Sequence, residues 1–375
     1  MVAIEKDQLS LDLGTAGIKY DPKFDSTEKT ELNLKDIERE QWTFERLIID
    51  PKYEGWLRRR AFIRSGHHTL HIEGNRLTED QVAEILGNPI AVIAKDDSQQ
   101  VGSWNQAMQF VDSVSTNSAI PISSLLIQHI NQLMLGKNDR QYFPGEYRRG
   151  ESRVRHPISR KPVYRGPPAG DVPDLMHQFG NWLGNGVSAI HPVLAAGIAH
   201  LRLVEIHPFT DGNGRTARAL TTLMLQRYGY PFNRLLAFER YFDIDLLNYC
   251  EAISATVGSS FEEGRNLTVW LEYFTFALSV EVGLASDAVV DLRRMMEKWH
   301  SVLSKKGYVE RHRDILAYAY IHNGIRPRDV TRIANVSAVT ASNDLRRLTD
   351  AGLLTSQGYS RARMFRPVDD VLDKL

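Results

Sequence analysis

Ile206-His-Pro-Phe-Thr-Asp-Gly-Asn-Gly-Arg-Thr-Ala-Arg218 is the stretch on which the reading of this chain turns. Pro208 ends the preceding helix at or near His207, because the residue before a proline is pushed out of the α region. Gly212-Asn213-Gly214 then permits a tight turn, and a helix begins at once. A glycine-rich turn that feeds a helix N-terminus gathers orphan N–H groups and the positive end of the helix dipole, and so binds anions. Arg215 and Arg218, three apart, share one helix face beside that anion site. Two guanidinium forks suit a polyphosphate better than a single phosphate. Asp211 supplies a hard oxygen ligand of the kind Mg²⁺ on a nucleotide requires. His207 is the group in the loop that titrates near neutrality. An EF-hand fails on the same residues: no acidic residues stand at alternate positions before Asp211, and no glutamate occupies the place of the last ligand.

Outward from this run, helical periodicity dominates. Upstream, His191–Ile206, Val172–Leu183 and Ile122–Leu135 read as helices, and the Gly-, Pro-, Arg- and Tyr-rich stretch Tyr142–Asp174 reads as irregular. Within it, Val154–Tyr164 carries Pro157 and Pro162, which suit an exposed hairpin or edge. Further upstream, apolar residues recur at helical spacing over 34–86, including Ile37, Trp42, Phe44, Ile48 and Ile49. Ala61–Asn75 is a helix closed by Gly74-Asn75, and Thr78 followed by Glu79 and Asp80 caps the next helix, Asp80–Leu86. Residues 1–35, polar and mixed in charge, read as an arm. Downstream, Gly214–Arg227 stops at Gly229, and Asp243–Val257 and Asn266–Val290 follow. Arg311–Tyr320, Arg326–Ala334 and Val339–Ala351, with Leu353–Arg366 alternating around Gly358, describe three helices closed by a hairpin: a winged helix. The fold class expected is mainly α, a helical core with a small β-hairpin flap and a C-terminal winged helix-turn-helix unit. The divisions expected are 1–110, 111–290 and 291–375.

Bulk composition agrees with a chain of several domains and a real core: 375 residues, 42% hydrophobic and 25% charged. Lys+Arg and Asp+Glu balance at 46 each, so the chain as a whole exerts no net pull on nucleic acid or membrane. Cys250 is the only cysteine, which excludes an intramolecular disulfide and a thiolate metal cluster. The first residues lack a basic segment followed by an apolar one, and no run of about 18 apolar residues appears. The expectation is therefore no secretory signal, no membrane span and a cytoplasmic location.

His207-Pro-Phe-Thr-Asp211-Gly-Asn213-Gly-Arg215-Thr-Ala-Arg218 resembles the Fic signature, HPFx[D/E]GN[G/K]RxxR, without a departure. Its flanks, Pro144–Arg148, Pro167-Pro168 with Leu175-Met176, and Ala195–His200, resemble the stretches around that signature, and the likeness extends over about residues 35–290. The resemblance implies a protein adenylyltransferase, which moves AMP from ATP onto Ser, Thr or Tyr hydroxyls of proteins, its own included. It implies that His207 is the base and that Asp211 holds Mg²⁺ on the α- and β-phosphates. Asn213, with the backbone of Gly212 and Gly214, would stabilise the α-phosphoryl charge; Arg215 would contact the inner phosphates, and Arg218 the γ-phosphate. Glycine rather than lysine at 214 favours AMP transfer over the family's phosphotransferase variant.

Thr69-Leu-His-Ile-Glu73-Gly74 resembles the family's inhibitory motif, [S/T]xxxE[G/N]. Thr69 and Glu73 fall on one helix face, and a carboxylate delivered to Arg218 would occupy the clamp needed by the γ-phosphate. In some members this glutamate also positions water for removing AMP. Arg160-Lys-Pro-Val163-Tyr164 sits where the family carries its target-docking flap, with Val163 and Tyr164 candidates for nucleoside contact. Tyr249 lies where paired tyrosines often approach the adenine, although Cys250 replaces the second; a packing role competes with that reading. His191 and His200 read as capping or packing residues. The resemblance also implies a homodimer. In the tail, Arg346, Arg347, Arg361, Arg363 and Arg366 are suited to phosphates, so DNA contact and protein contact both stay open. A second class of function, a DNA-binding regulator whose Fic-like domain senses nucleotide, would need the arginine clamps but not the base.

Overall fold

The computed structural model describes residues 20–46, 49–87, 96–136, 143–155, 161–305, 307–358 and 363–368. The arm through residue 19, Ile48, the hairpin turn with Pro157 and Arg160, and Arg361 lie outside the described residues. In chain order the elements are α1 Glu28–Arg46, α2 Pro51–Ile72, α3 Glu79–Gly87, α4 Asp96–Ser115, α5 Ser124–Leu135, β1 Arg153–Arg155, β2 Pro162–Arg165, α6 Val172–Asn185, α7 Pro192–Ile206, α8 Asn213–Arg227, α9 Glu239–Ile244, α10 Leu246–Val257 and α11 Thr268–Lys305. Then follow α12 Glu310–Ile321, α13 Pro327–Ala334, α14 Ala338–Asp350, β3 Leu354–Gln357 and β4 Met364–Pro367. The mainly helical architecture with two small hairpins is the expected one.

The sequence reading does not foresee α4 and reads α9 and α10 as one helix from Asp243, and three boundaries also differ. Helix α1 begins at Glu28, so the expected arm is helical over its last residues. Its sequence is so charged that its buried stripe is Thr30, Ile37 and Phe44, one residue every two turns. Helix α2 starts ten residues before Ala61, because the Asp50 side chain caps Lys52 N–H at 2.9 Å and Pro51 sits in the first turn. Helix α11 runs past Val290 to Lys305, since Leu292, Trp299 and Leu303 keep burying a face. Helix α11 is also long and apolar enough to cross a membrane by length and composition, which corrects the expectation that no segment qualifies. Trp270, Leu271, Phe274 and Leu278 are fully buried against the rest of the protein, as in the central helix of a globular core.

The core is a helical stack in which α7 and α8 lie side by side, α5 and α4 cover α8, and α1 and α10 pack on α11. Trp270 Nε1 donates to the Gly197 carbonyl at 2.7 Å, and a Cβ at Gly197 would come within 2.7 Å of Phe274, so glycine lets these two helices close. β1 and β2 pair antiparallel, Arg153 with Arg165 and Val154 with Tyr164, with a register shift after Val154. At the C-terminal end, α12, α13 and α14 are followed by the antiparallel pair β3–β4, and Ile325 exchanges both backbone hydrogen bonds with Phe365. This unit rests on α2: Lys52 Nζ and the Tyr53 hydroxyl both reach the Asp314 carboxylate, at 2.5 and 2.7 Å, and Trp56 meets Tyr318 edge-on.

Candidate functional site

The site is built at the junction of α7 and α8. Helix α7 ends because Pro208 follows, and His207 turns into the left-handed region, φ 48° and ψ 58°. That conformation is costly for a residue with a Cβ and persists where the surroundings enforce it. Arg148 enforces it. Its buried guanidinium donates from Nε to the His207 carbonyl at 2.8 Å and from Nη2 to the Pro167 carbonyl at 2.6 Å, while its N–H donates to the Pro208 carbonyl at 2.8 Å.

His207 Nδ1 lies 3.3 Å from the Val204 carbonyl. A carbonyl can only accept, so Nδ1 carries the proton and Nε2 keeps its lone pair. Burial pushes this imidazole down to about 4, past the opposing pull of the Val204 carbonyl. At neutral pH the ring is an uncharged base.

The loop between His207 and α8 closes on itself. Asn213 Oδ1 accepts from Phe209 N–H and Asn213 Nδ2 donates to the Phe209 carbonyl, both at 2.9 Å. These two bonds hold the loop and leave the second Nδ2 hydrogen of Asn213 uncommitted among the described residues. The first-turn N–H groups of α8 have no acceptor within the helix. Gly212, at φ 76°, makes the turn that aims them. Asn131, fully buried on α5, was missed by sequence reasoning. Its Nδ2 donates to the Asp211 carbonyl at 3.0 Å and to Thr216 Oγ1 at 3.2 Å, and its Oδ1 accepts from Gly145 N–H at 3.0 Å.

The two arginines expected on one face of α8 are there, both buried. Arg215 Nη2 pairs with Asp211 at 2.9 Å, and its Nε is buried with no hydrogen-bond partner among the described residues. A buried, unsatisfied cationic donor beside a helix N-terminus fits an incoming phosphate oxygen. Asp211, partly exposed and within reach of that donor, fits a hard cation bound with the phosphates.

Arg218 is engaged from α2. Its Nε donates to Thr69 Oγ1 at 2.7 Å, and its Nη2 donates to the Thr69 carbonyl at 3.0 Å and to Glu73 Oε1 at 2.6 Å. Burial pushes the Glu73 carboxyl up, but Arg218 and Arg215 outweigh it and hold the group below its ordinary value. Glu73 is delivered there by the end of α2: Gly74, at φ 96°, lets Asn75 N–H fold back onto the Leu70 carbonyl at 3.1 Å. A Cβ at Gly214 would stand 2.6 Å from Glu73 Oε1, so glycine in α8 is what admits the carboxylate. The last turns of α2 are tied to α9 through Asp243, which accepts from His68 Nδ1 and His71 Nδ1, each at 2.7 Å. His207, Asp211, Arg215 and Arg218 thus lie together as their spacing suggests, and Thr69 and Glu73 meet Arg218 as the resemblance implies.

The flap and adenine-side residues do not join them in the expected way. Tyr164 is buried and donates its hydroxyl to the Glu205 carbonyl at 2.7 Å, pinning β2 to the last turn of α7. Val163, half-buried, stays on the hairpin. Tyr249 is buried against Phe242, with rings stacked at 4.6 Å, and its hydroxyl meets His200 Nε2 at 2.9 Å. Both tyrosines are therefore packing residues. His200, pushed down to about 3 by burial and then by Arg218, is a neutral link in that cluster, and His191 caps α7 through Val193 N–H.

A model of the Fic/DOC family matches residues 121–225. Protein adenylyltransferase Fic of Aedes aegypti is 35% identical over 176 residues, which cover 46% of this chain and 34% of that protein. Its Drosophila melanogaster counterpart is 36% identical over 177 residues, with the same coverage. The chain thus spans about a third of the length of these curated relatives. Among solved structures, a Fic family protein from Desulfovibrio desulfuricans G20 superposes with a TM-score of 0.58 at 22% identity, over 94% of this chain and 99% of that one. Fic-1 of C. elegans gives 0.56 at 22% identity, over 71% of this chain and 73% of that one. At these identities the superpositions speak for the fold.

Proposed function

We propose that the chain, whose residues 121–225 match a Fic/DOC family model, transfers AMP from ATP to protein hydroxyls and holds the reaction down with Glu73. The observation that carries the proposal is the neutral His207, its Nε2 lone pair kept by the Val204 contact, beside an anion cradle that contains an unsatisfied Arg215 donor. His207 Nε2 takes the proton from a Ser, Thr or Tyr hydroxyl. The oxygen forms a bond to the α-phosphorus, the bond to the β-phosphate oxygen breaks, and pyrophosphate leaves. Backbone N–H groups at the start of α8 face the developing charge, and Arg215 orients the inner phosphates. Mg²⁺ bound with the nucleotide would neutralise phosphate charge, and Asp211 is the residue to hold it.

Arg218 is the clamp for the γ-phosphate, and Thr69 and Glu73 occupy its donors. Removal of AMP, with Glu73 placing the water, belongs to the same reading. The C-terminal unit is read as a winged helix whose α12 packs on α2, which favours contact with protein over DNA. A homodimer and a cytoplasmic location are part of the same proposal. A nucleotide-sensing regulator remains the second class, but a sensor has no need of a base held neutral.

ATP labelled at the α-phosphorus tests the reading on wild type, Glu73→Gly and His207→Ala. Weak labelling of protein, strong labelling and none, in that order, is the expected result. Equal label from all three rejects the mechanism, and label that arrives from the γ-position instead makes the reaction a kinase's.

A further inference from the structure

Between α2, α3 and the C-terminal unit lies a cleft of ≈ 780 Å³. Seven arginines line it against four carboxylates. From α2 come Arg59, Arg60 and Arg64; from the opposite wall come Arg326, Arg328 and Arg332, with Arg366 from β4. Some of this charge is answered: Arg64 lies 3.8 Å from Glu79, Arg326 3.4 Å from Asp80, and Arg332 3.6 Å from Asp329. Among the described residues, no carboxylate stands within ion-pair distance of Arg59, Arg60 or Arg328, and Arg326 Nε is buried without an acceptor.

Like charges gathered in a half-buried cleft repel, and that cost is relieved when an anion enters. Burial dominates the behaviour of these groups, and the neighbouring arginines add to it. Burial and then Arg332 lower Arg59, burial and then Arg64 lower Arg60, and His322 is pushed down to about 4 by burial and then by Arg60, Arg332 and Arg59. The uncharged His322 ring lies against Tyr318, centroids 4.1 Å apart, so the cationic cleft also has an aromatic floor.

We propose that this cleft binds a small organic polyphosphate at a site separate from the catalytic loop. Guanidinium forks from two walls converge on one volume, which suits several phosphate groups at once. The volume falls within the range of small-ligand pockets. Duplex nucleic acid calls instead for a protruding helix or ribbon, and no residue of α14 lines the cleft. The occupant would join α2 to the C-terminal unit at the N-terminal half of the helix that carries Thr69 and Glu73. The site does not depend on the transfer reaction.

Calorimetry with inorganic tripolyphosphate on the full chain tests this. All variants carry Arg215→Ala, which weakens the catalytic loop's hold on phosphates, and that loop is unchanged between the cleft variants. Tripolyphosphate is expected to bind that background, and Arg60→Glu with Arg328→Glu to weaken binding at least about tenfold. Arg60→Lys with Arg328→Lys keeps the charge without the forks and should weaken binding less than the reversal does. An unchanged melting temperature shows that the reversed variant is folded; if it is not, exposed Arg328→Glu alone carries the test. A duplex of about 20 base pairs should fail to displace tripolyphosphate. Affinity untouched by charge reversal, or displacement by the duplex, overturns the assignment.

Discussion

At its C-terminal end α2 hands Glu73 to Arg218, so that a buried cation has an internal partner at 2.6 Å. Three turns earlier the same helix offers Arg59 and Arg60 to a cleft where no described carboxylate pairs with them. One cationic site is closed by the chain's own carboxylate, and the other is left for something to fill. Arginine content does not separate the two. A carboxylate held at a capped helix end does, and under the proposed function that pair is what would regulate the clamp.

The largest effect expected falls at the closed end. In a Glu73→Gly background, His207→Ala should lower label transfer by on the order of 10²–10⁴, the usual worth of positioned general-base help; a loss below tenfold would remove His207 from its role. Glu73→Gln keeps the shape and removes the charge. If the charge-assisted pair is what closes the clamp, transfer should rise by about 10–100-fold, and no rise would mean that shape rather than charge does the closing.

Asn131→Ala is a smaller probe, of the loop between His207 and α8. It strips partners from the Asp211 carbonyl and Gly145 N–H, and a loss of about 1–3 kcal/mol is expected in chemical denaturation. Stability unchanged by this substitution would show that the loop does not rely on α5. The smallest effect is in pH. His207 works as the neutral ring and is held at about 4, so kcat/KM of the Glu73→Gly variant should stay flat from pH 8 towards 5 and fall as pH approaches 4. Loss of the Glu73 charge, which favours the protonated ring, moves that acid limb lower still. A limb near 6.5 would show an imidazole that is solvated rather than buried.

What the sequence made legible was whatever is local. His207 to Arg218 lie within four turns of chain, so spacing gathered them, whereas spacing put Thr69 and Glu73 on one helix face and only the family resemblance pointed them at Arg218. Asn131 and Arg148 escaped because their partners are 80 and 59 residues away, and an asparagine or arginine in a helix or loop carries no local sign of such a partner. The contact of His68 and His71 with Asp243 escaped for the same reason. Tyr164 and Tyr249 were placed by likeness, and aromatic residues read alike whether they face a ligand or a core; each hydroxyl is already bonded inside the protein. The charged first turns of α1 hid where that helix begins, because Thr30 is its one buried residue before Ile37.

The central claim is that Glu73 and the γ-phosphate compete for the same guanidinium. Calorimetric affinities of wild type and Glu73→Gly for ATP and for AMP test it most directly. The account predicts that the substitution tightens ATP at least about tenfold and leaves AMP unchanged, since AMP has no phosphate that reaches Arg218. An equal change for both nucleotides, or none for either, would contradict it.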